Sequence, residues 1–203
     1  MFPYKMIVAR YGEDVSWTRK YNCVVYNKGS DLPGSTRLDN VGREAHTYLR
    51  HIITNYHNLE DTLLFVQGDP FEGFSDGRVI DFESLFHIDQ NGYSDLLHDL
   101  SNDRWGDETS NKDEFTILEW KGRISNPKGY RLKEWWERTT GGGYVRSRRV
   151  FWGANFSVKR EFVLKRSLES YFSIYQTLLH DHTPVEAHYC ERAWFNILNL
   201  PLG

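Results

Sequence analysis

The stretch that most constrains this chain runs Asn40-Val-Gly-Arg-Glu-Ala-His-Thr-Tyr-Leu-Arg-His-Ile-Ile53. After a short turn it continues into Leu63-Leu-Phe-Val-Gln-Gly-Asp-Pro-Phe71. Ala45, Tyr48, Leu49, Ile52, Ile53 and Tyr56 form one apolar stripe at a period of about 3.6 residues, which is an amphipathic helix. Asn40 is the expected N-cap. Thr62-Leu-Leu-Phe-Val66 has no polar break, as a strand buried on both faces requires. A helix leading into a buried strand is an α/β arrangement. In such sheets ligands sit beyond the carboxyl ends of the strands, where this chain places Gln67-Gly-Asp69.

The rest of the pattern agrees. Met6-Ile-Val-Ala9 reads as a first strand ending in the polar turn Arg10-Tyr-Gly-Glu-Asp14, and Cys23-Val-Val-Tyr26 as a second ending at Asn27-Lys28-Gly29. Residues 30–40, with Pro33 and Gly34, read as a loop. Residues 72–112 are mixed. Residues 121–149 are polar, basic and Gly-rich; they include Trp135-Trp136 and the triple glycine 141–143, which reads as a flexible loop. Strand character returns between Tyr144 and Phe156, and a helical segment is expected after Ser157. A second stripe (Leu168, Tyr171, Phe172, Tyr175, Leu178, Leu179) gives another helix. Thr183-Pro-Val-Glu186 has the form of a capping box with Pro at N1, opening a last helix with the apolar face Cys190, Ala193, Trp194, Ile197 and Leu198. With neither a repeat nor a clear linker, residues 1–203 read as a single α/β domain, a mixed, mostly parallel sheet flanked by helices.

Composition narrows the function. A net charge of −3 gives no electrostatic case for nucleic acid; the basic run Arg146-Ser-Arg-Arg149 is local. No apolar run approaches the roughly 20 residues of a membrane span. The first strand begins within a few residues of Met1, so no signal peptide is expected. Cys23 and Cys190 form no Cys-x-x-Cys pair and read as core thiols of a reducing compartment. The expectation is a soluble, cytoplasmic protein, in which the sequon at Asn155 stays unmodified. Seven Trp and twelve Tyr point to aromatic packing or to sugar or base stacking.

Several residues can carry chemistry. Gly42 and Arg43 open the helix, where free N–H groups and a bidentate guanidinium suit phosphate. Gly42 serves close ligand approach or chain geometry. Asp69, at a strand end, can hold Mg²⁺ or Mn²⁺ with phosphate oxygens; it can equally be a turn residue. Asp81 and Glu83 are a rival acidic pair, on one face if that stretch is a strand. Glu191, with His188 one turn earlier, is either a general base with an orienting partner or a surface pair. No common zinc spacing, Gly-x-Ser-x-Gly elbow, Gly-x-Gly-x-x-Gly or Walker loop is present.

Six blocks occur in order: Ile7-Val-Ala-Arg-Tyr-Gly-Glu-Asp-Val-Ser-Trp17, Val25-Tyr-Asn-Lys-Gly29, Asn40 to Leu49, Phe65 to Phe71, Trp152-Gly-Ala-Asn-Phe-Ser-Val158 and Glu191-Arg-Ala-Trp194. Together they resemble GT-A-type glycosyltransferases, and the chain looks like glycosyltransferase domains encoded by large algal (chlorella) viruses. The likeness spans about residues 6–198. It implies a Rossmann-like GT-A fold and transfer of a sugar from a nucleotide-diphosphate sugar, a UDP-sugar favoured, to a hydroxyl of a glycan or glycoprotein acceptor. If viral, the protein would work in host cytoplasm.

By that resemblance Ala9, Arg10, Tyr11 and Glu13 meet the base or ribose, and Asn27, Lys28, Gly42 and Arg43 line the nucleotide and diphosphate. Gln67, Gly68 and Asp69 stand at the Asp-x-Asp metal motif, with an amide in place of its first acid. Gly153 and Ala154 approach donor and acceptor, with Trp152 and His188 on the acceptor side. Glu191 is the catalytic base, and Asp69 the ligand of a divalent Mn²⁺ or Mg²⁺ that assists departure of the nucleotide. Two alternatives stay open: a carbohydrate-binding module with Trp135, Trp136 and Trp152 as platforms, and a two-carboxylate glycoside hydrolase.

Overall fold

The computed structural model describes residues 4–71, 82–88, 92–94, 98–99, 129–145 and 149–199. The expectations for Asp81, for most of the 72–112 segment, for Arg146 to Arg148 and for the Trp152 side chain fall outside the described residues.

The central strand β1 (Tyr4–Arg10) pairs in parallel with β2 (Cys23–Asn27) on one side and with β4 (Thr62–Gln67) on the other. A two-residue strand β3 (Thr36–Arg37) extends the β2 edge, and β7 (Phe156–Lys159) adds antiparallel to β4. The order is β3-β2-β1-β4-β7, a mixed and mostly parallel α/β sheet of Rossmann-like character. The helix α1 (Arg43–Asn55) carries the chain from β3 across to β4. A separate pair joins β5 (His98–Asp99) to β6 (Arg149–Val150), with α2 (Leu132–Thr140) between them in sequence. Three further helices follow: α3 (Arg160–Val163), α4 (Leu168–Gln176) and α5 (Val185–Ile197).

Alternation along the strands divides the core, because successive side chains point to opposite faces. Ile7, Leu63 and Phe65 join the larger cluster with Tyr48, Leu49 and Ile52 of α1 and Trp194 of α5. Met6, Val8, Leu64 and Val66 face a smaller cluster closed by Val15, Phe82 and Leu85. Both faces of β1 and β4 are thus covered, which explains their unbroken apolar sequences.

Local chemistry overrides the sequence reading at several points. The N-cap of α1 is Gly42 in the left-handed region (φ 61°), not Asn40. The 30–40 loop contains β3. The polar, Gly-rich stretch contains α2, whose Trp135 and Trp136 are buried in the large core. Polar neighbours hid that helix, and Gly141, left-handed at its C-cap, ends it. Helix α5 starts at Val185 after Pro184 without a side-chain cap; the Glu186 carboxylate meets His180 Nε2 at 3.1 Å instead of closing a capping box. Helix α4 ends before Leu178 and Leu179, and Phe172 and Leu179 are exposed. Glu83 lies in a five-residue 3₁₀-helix (Phe82–Phe86), not in a strand. Cys190 is buried, but Cys23 is only half-buried.

Trp194 packs between Tyr48 and Phe156, at ring-centroid distances of 5.9 and 5.3 Å. Its truncation to Ala is expected to cost about 3–5 kcal/mol, as deletion of a buried aromatic does; urea unfolding followed by circular dichroism measures this.

Candidate functional site

The site follows from the register of the parallel strands. Ala9 lies beside Tyr26 and Gln67, and Arg10 beside Asn27, so β1, β2 and β4 end together. From β1 the chain proceeds to β2 and β3 on one side, then crosses by α1 to β4 on the other. This reversal creates a crevice at the carboxyl ends. A cleft of about 420 Å³ occupies it. Its floor comes from Ala9, Arg10, Tyr11, Glu13, Lys28 and Gln67, and one wall from Asn40, Arg43, Glu44 and Thr47 at the start of α1. His182 and Thr183, ahead of α5, close the far side.

Seven of the residues expected at a donor site line this cleft: Ala9, Arg10, Tyr11, Glu13, Lys28, Arg43 and Gln67. Their roles differ. Arg10 is buried; its Nε donates to the Glu13 carbonyl at 2.9 Å, and its Nη1 to Asn27 Oδ1 at 2.7 Å and to the Ser30 carbonyl at 3.1 Å. Asn27 therefore lies beneath the cleft as the support of Arg10. The Glu13 carboxylate accepts the N–H groups of Tyr11 (2.7 Å) and Gly12 (3.0 Å). It packs against Gly68, where a Cβ would come within 2.6 Å of it. Gly68 thus makes room for Glu13, and its carbonyl accepts Trp17 Nε1 at 3.0 Å. Tyr11 is 60% exposed, leaving its ring open.

Lys28 is also buried. Its Nζ donates to the carbonyls of Val41, at 2.5 Å, and of Arg43. Burial pushes its pKa down to about 7; the Glu44 charge raises it and the Arg43 charge lowers it. Gly42 lies behind the wall: a Cβ there would be 2.7 Å from Leu178 Cβ and 2.8 Å from His46 Cβ. Its glycine therefore serves packing and the left-handed turn rather than ligand approach.

Arg43 is half-buried, with Nε 3.4 Å from Glu44 Oε2. The Glu44 charge, and beyond it that of Glu191, hold its guanidinium above the usual arginine range against the effect of burial. Glu191 lies outside the cleft lining. Its Oε1 accepts the Gly153 N–H at 3.1 Å, and Arg192 Nη1 stands 3.9 Å from its Oε2. Burial pushes its carboxyl up, with the Arg192 and Arg43 cations opposing and Glu44 adding. His188 is buried, which removes the surface-pair reading. Gly153 and Ala154 are both left-handed, at φ 65° and 52°. The loop is tied to the end of β4 by Asn155 Oδ1, which accepts the Gln67 N–H at 2.8 Å.

Asp69 is exposed and outside the cleft lining, and its Oδ1 accepts the Phe71 N–H at 3.1 Å, as in the turn reading. Among the described residues no group of three or more His, Cys, Asp or Glu side chains is placed to hold a metal ion. The oxygen donors at this strand end, the Asp69 carboxylate and the Gln67 amide, suit a hard ion carried in on phosphate oxygens rather than a protein-built cage.

Sequence reasoning passed over Glu44, Thr47, Asn40 and His182. The signal for Glu44 and Thr47 was available: both stand on the side of α1 that carries the Arg43 already singled out. Asn40, which lies ahead of the left-handed turn, and His182 required the tertiary fold.

Two outcomes follow. The unfolded chain holds the Lys28 proton up to about pH 10.5 and the folded chain only to about 7. The cost of burying the charge is therefore fully present below pH 7 and is relieved as pH rises through this window. Stability should climb with pH by up to about 1.4 kcal/mol per unit from this group, and Lys28→Met should flatten that rise in pH-dependent urea melts. Gly42→Ala should cost about 1–3 kcal/mol, from left-handed strain and overpacking against Leu178.

No curated protein and no solved structure matches the chain. Residues 6–200, which include every element named above except the first two residues of β1, match the model of a family described as protein of unknown function DUF3431. The chain therefore belongs to the DUF3431 family.

Proposed function

We propose that this protein is a glycosyltransferase that takes a sugar from a nucleotide-diphosphate sugar, with a UDP-sugar as the first candidate, and passes it to a hydroxyl of a glycan acceptor. The observation that carries the reading is the switch-point cleft itself: Arg43 and the first turn of α1 face the ends of β1 and β4, and a half-buried acid, Glu191, is close enough to act on Arg43 electrostatically. A guanidinium at a helix N-terminus suits a diphosphate. The open Tyr11 ring offers a stacking surface for the base.

In this reading the acceptor oxygen attacks C1 of the donor sugar. The C1–O bond to the diphosphate breaks, and its electron pair leaves on the phosphate oxygen. Arg43 and the α1 N–H groups stabilise that developing charge. Glu191 takes the proton of the acceptor hydroxyl; burial, which pushes its carboxyl up, makes it a more basic carboxylate, and the Gly153 N–H orients one of its oxygens. A divalent ion, when bound, neutralises charge on the departing diphosphate, and Asp69 with Gln67 would hold it.

The alternatives fare less well. Two of the three tryptophans of a carbohydrate platform, Trp135 and Trp136, are buried. A two-carboxylate hydrolase leaves Arg43 and the α1 N-terminus without a task.

Thermal unfolding with UDP, GDP, CDP and dTDP, each with and without Mn²⁺, tests the reading. A ligand at about 100 times its Kd stabilises by about 2.7 kcal/mol, a shift of several degrees at this size. One nucleotide should give that shift, and Asp69→Ala should remove any part that depends on Mn²⁺. Glu191→Gln should lower turnover by about 10²–10⁴-fold while leaving nucleotide affinity intact. No shift with any nucleotide would set the reading aside.

A further inference from the structure

Two consecutive residues at the entrance to α1, Gly42 and Arg43, have left-handed backbones at φ 61° and 50°. For Arg43 this conformation costs on the order of 1–2 kcal/mol and persists only if its surroundings impose it. Three sets of contacts impose it. The Gly42 N–H donates to the Asp181 carbonyl at 2.9 Å, and the Gly42 carbonyl accepts the His46 N–H at 3.0 Å. The flanking carbonyls, of Val41 and Arg43, both accept from the ammonium of Lys28. That ammonium reaches them from the end of β2, on the opposite side of the cleft floor. One buried cation therefore grips both ends of the strained turn.

We propose that Lys28 is a positioning residue: by holding the Val41 and Arg43 carbonyls, its ammonium fixes the left-handed turn and so aims the Arg43 guanidinium and the first turn of α1 into the cleft. Without the grip, Arg43 is free to relax to right-handed backbone and carry its side chain off the wall. The grip also depends on charge. Charge-assisted hydrogen bonds are roughly twice as strong as neutral ones, and burial brings Lys28 to the point of losing its proton near neutrality. The groups that share its surroundings are Arg10 at the end of β1 and Glu13 after it, Arg43, Glu44 and His46 on α1, and His182 ahead of α5. An anion in the cleft would favour the charged form and tighten the turn as it binds. This last consequence rests on the donor-site reading; the grip does not.

Amide hydrogen exchange on the ligand-free protein tests it. In Lys28→Met the amides of residues 46–49, beginning with the His46 N–H bonded to Gly42, should exchange about tenfold faster or more, while those of β1 and β4 keep their protection. Lys28→Arg, which keeps charge and donors, should restore much of the difference. Simple packing by the lysine stem would leave Lys28→Met, which keeps an unbranched stem, as well protected as wild type. Equal protection of residues 46–49 in wild type and Lys28→Met overturns the proposal, as does a Lys28→Arg variant no better protected than Lys28→Met; retained protection of β1 and β4 shows that each variant folds. A UDP titration then separates the two readings. UDP affinity that falls as pH rises through about 7 supports the coupling. Failure of wild type to bind any nucleoside diphosphate, with the exchange results as expected, removes the donor-site reading and leaves the role of Lys28 standing.

Discussion

The parallel pairing of β1 with a strand on each side is the constraint on which the rest depends. Three strands running the same way cannot be joined by hairpins, so the chain must cross over between them. One of those crossings, from β3 back past β1 to β4, is made by α1. The reversal of direction leaves the strand ends open to one another at Ala9, Lys28 and Gln67, with the start of α1 above them. The apolar alternation of β1 and β4 seals both faces of the sheet, so polar chemistry is pushed to the ends of the strands. The place of the cleft is thus a consequence of topology, and its character a consequence of the side chains that happen to stand there.

Those side chains divide into scaffold and surface. Arg10, Asn27, Glu13 and Lys28 are charged or polar, yet the bonds described for them go to the protein: Arg10 to two carbonyls and Asn27, Glu13 to two backbone N–H groups, Lys28 to the turn before α1. Buried polar groups need such partners, since an unmet one costs about 1–3 kcal/mol. They lock the three strand ends and the helix entrance into one rigid unit. Arg43 and Tyr11 are set on that unit with side chains that still reach solvent. A site built this way is preorganised: its charge is fixed by neighbours before any ligand arrives.

Much of this was legible in the chain itself. The central strands, α1, α4 and α5 follow from apolar period alone, and the cleft residues near Arg10, Lys28, Arg43 and Gln67 stand at the strand and helix ends where α/β ligands bind. What escaped did so for physical reasons. Helix α2 carries its two buried tryptophans among charged neighbours, so its stripe is too narrow to read. The left-handed start of α1 is dictated by Leu178 and Lys28, both distant in sequence, and moves the cap from Asn40 to Gly42. Glu44 was overshadowed by Arg43 beside it, although both face the cleft. Burial of Glu191 and exposure of Asp69 reverse the weight their positions suggested: the acid on the last helix is held and perturbed, and the acid after β4 sits in a turn.

The central claim is that the switch-point cleft receives a nucleoside diphosphate. A crystal structure grown with UDP and Mn²⁺ tests it most directly. The account predicts the diphosphate against Arg43 and the first turn of α1, the base near Tyr11, and Lys28 still bonded to the Val41 and Arg43 carbonyls. Nucleotide bound elsewhere on the protein, or a cleft that stays empty at saturating UDP, would contradict it.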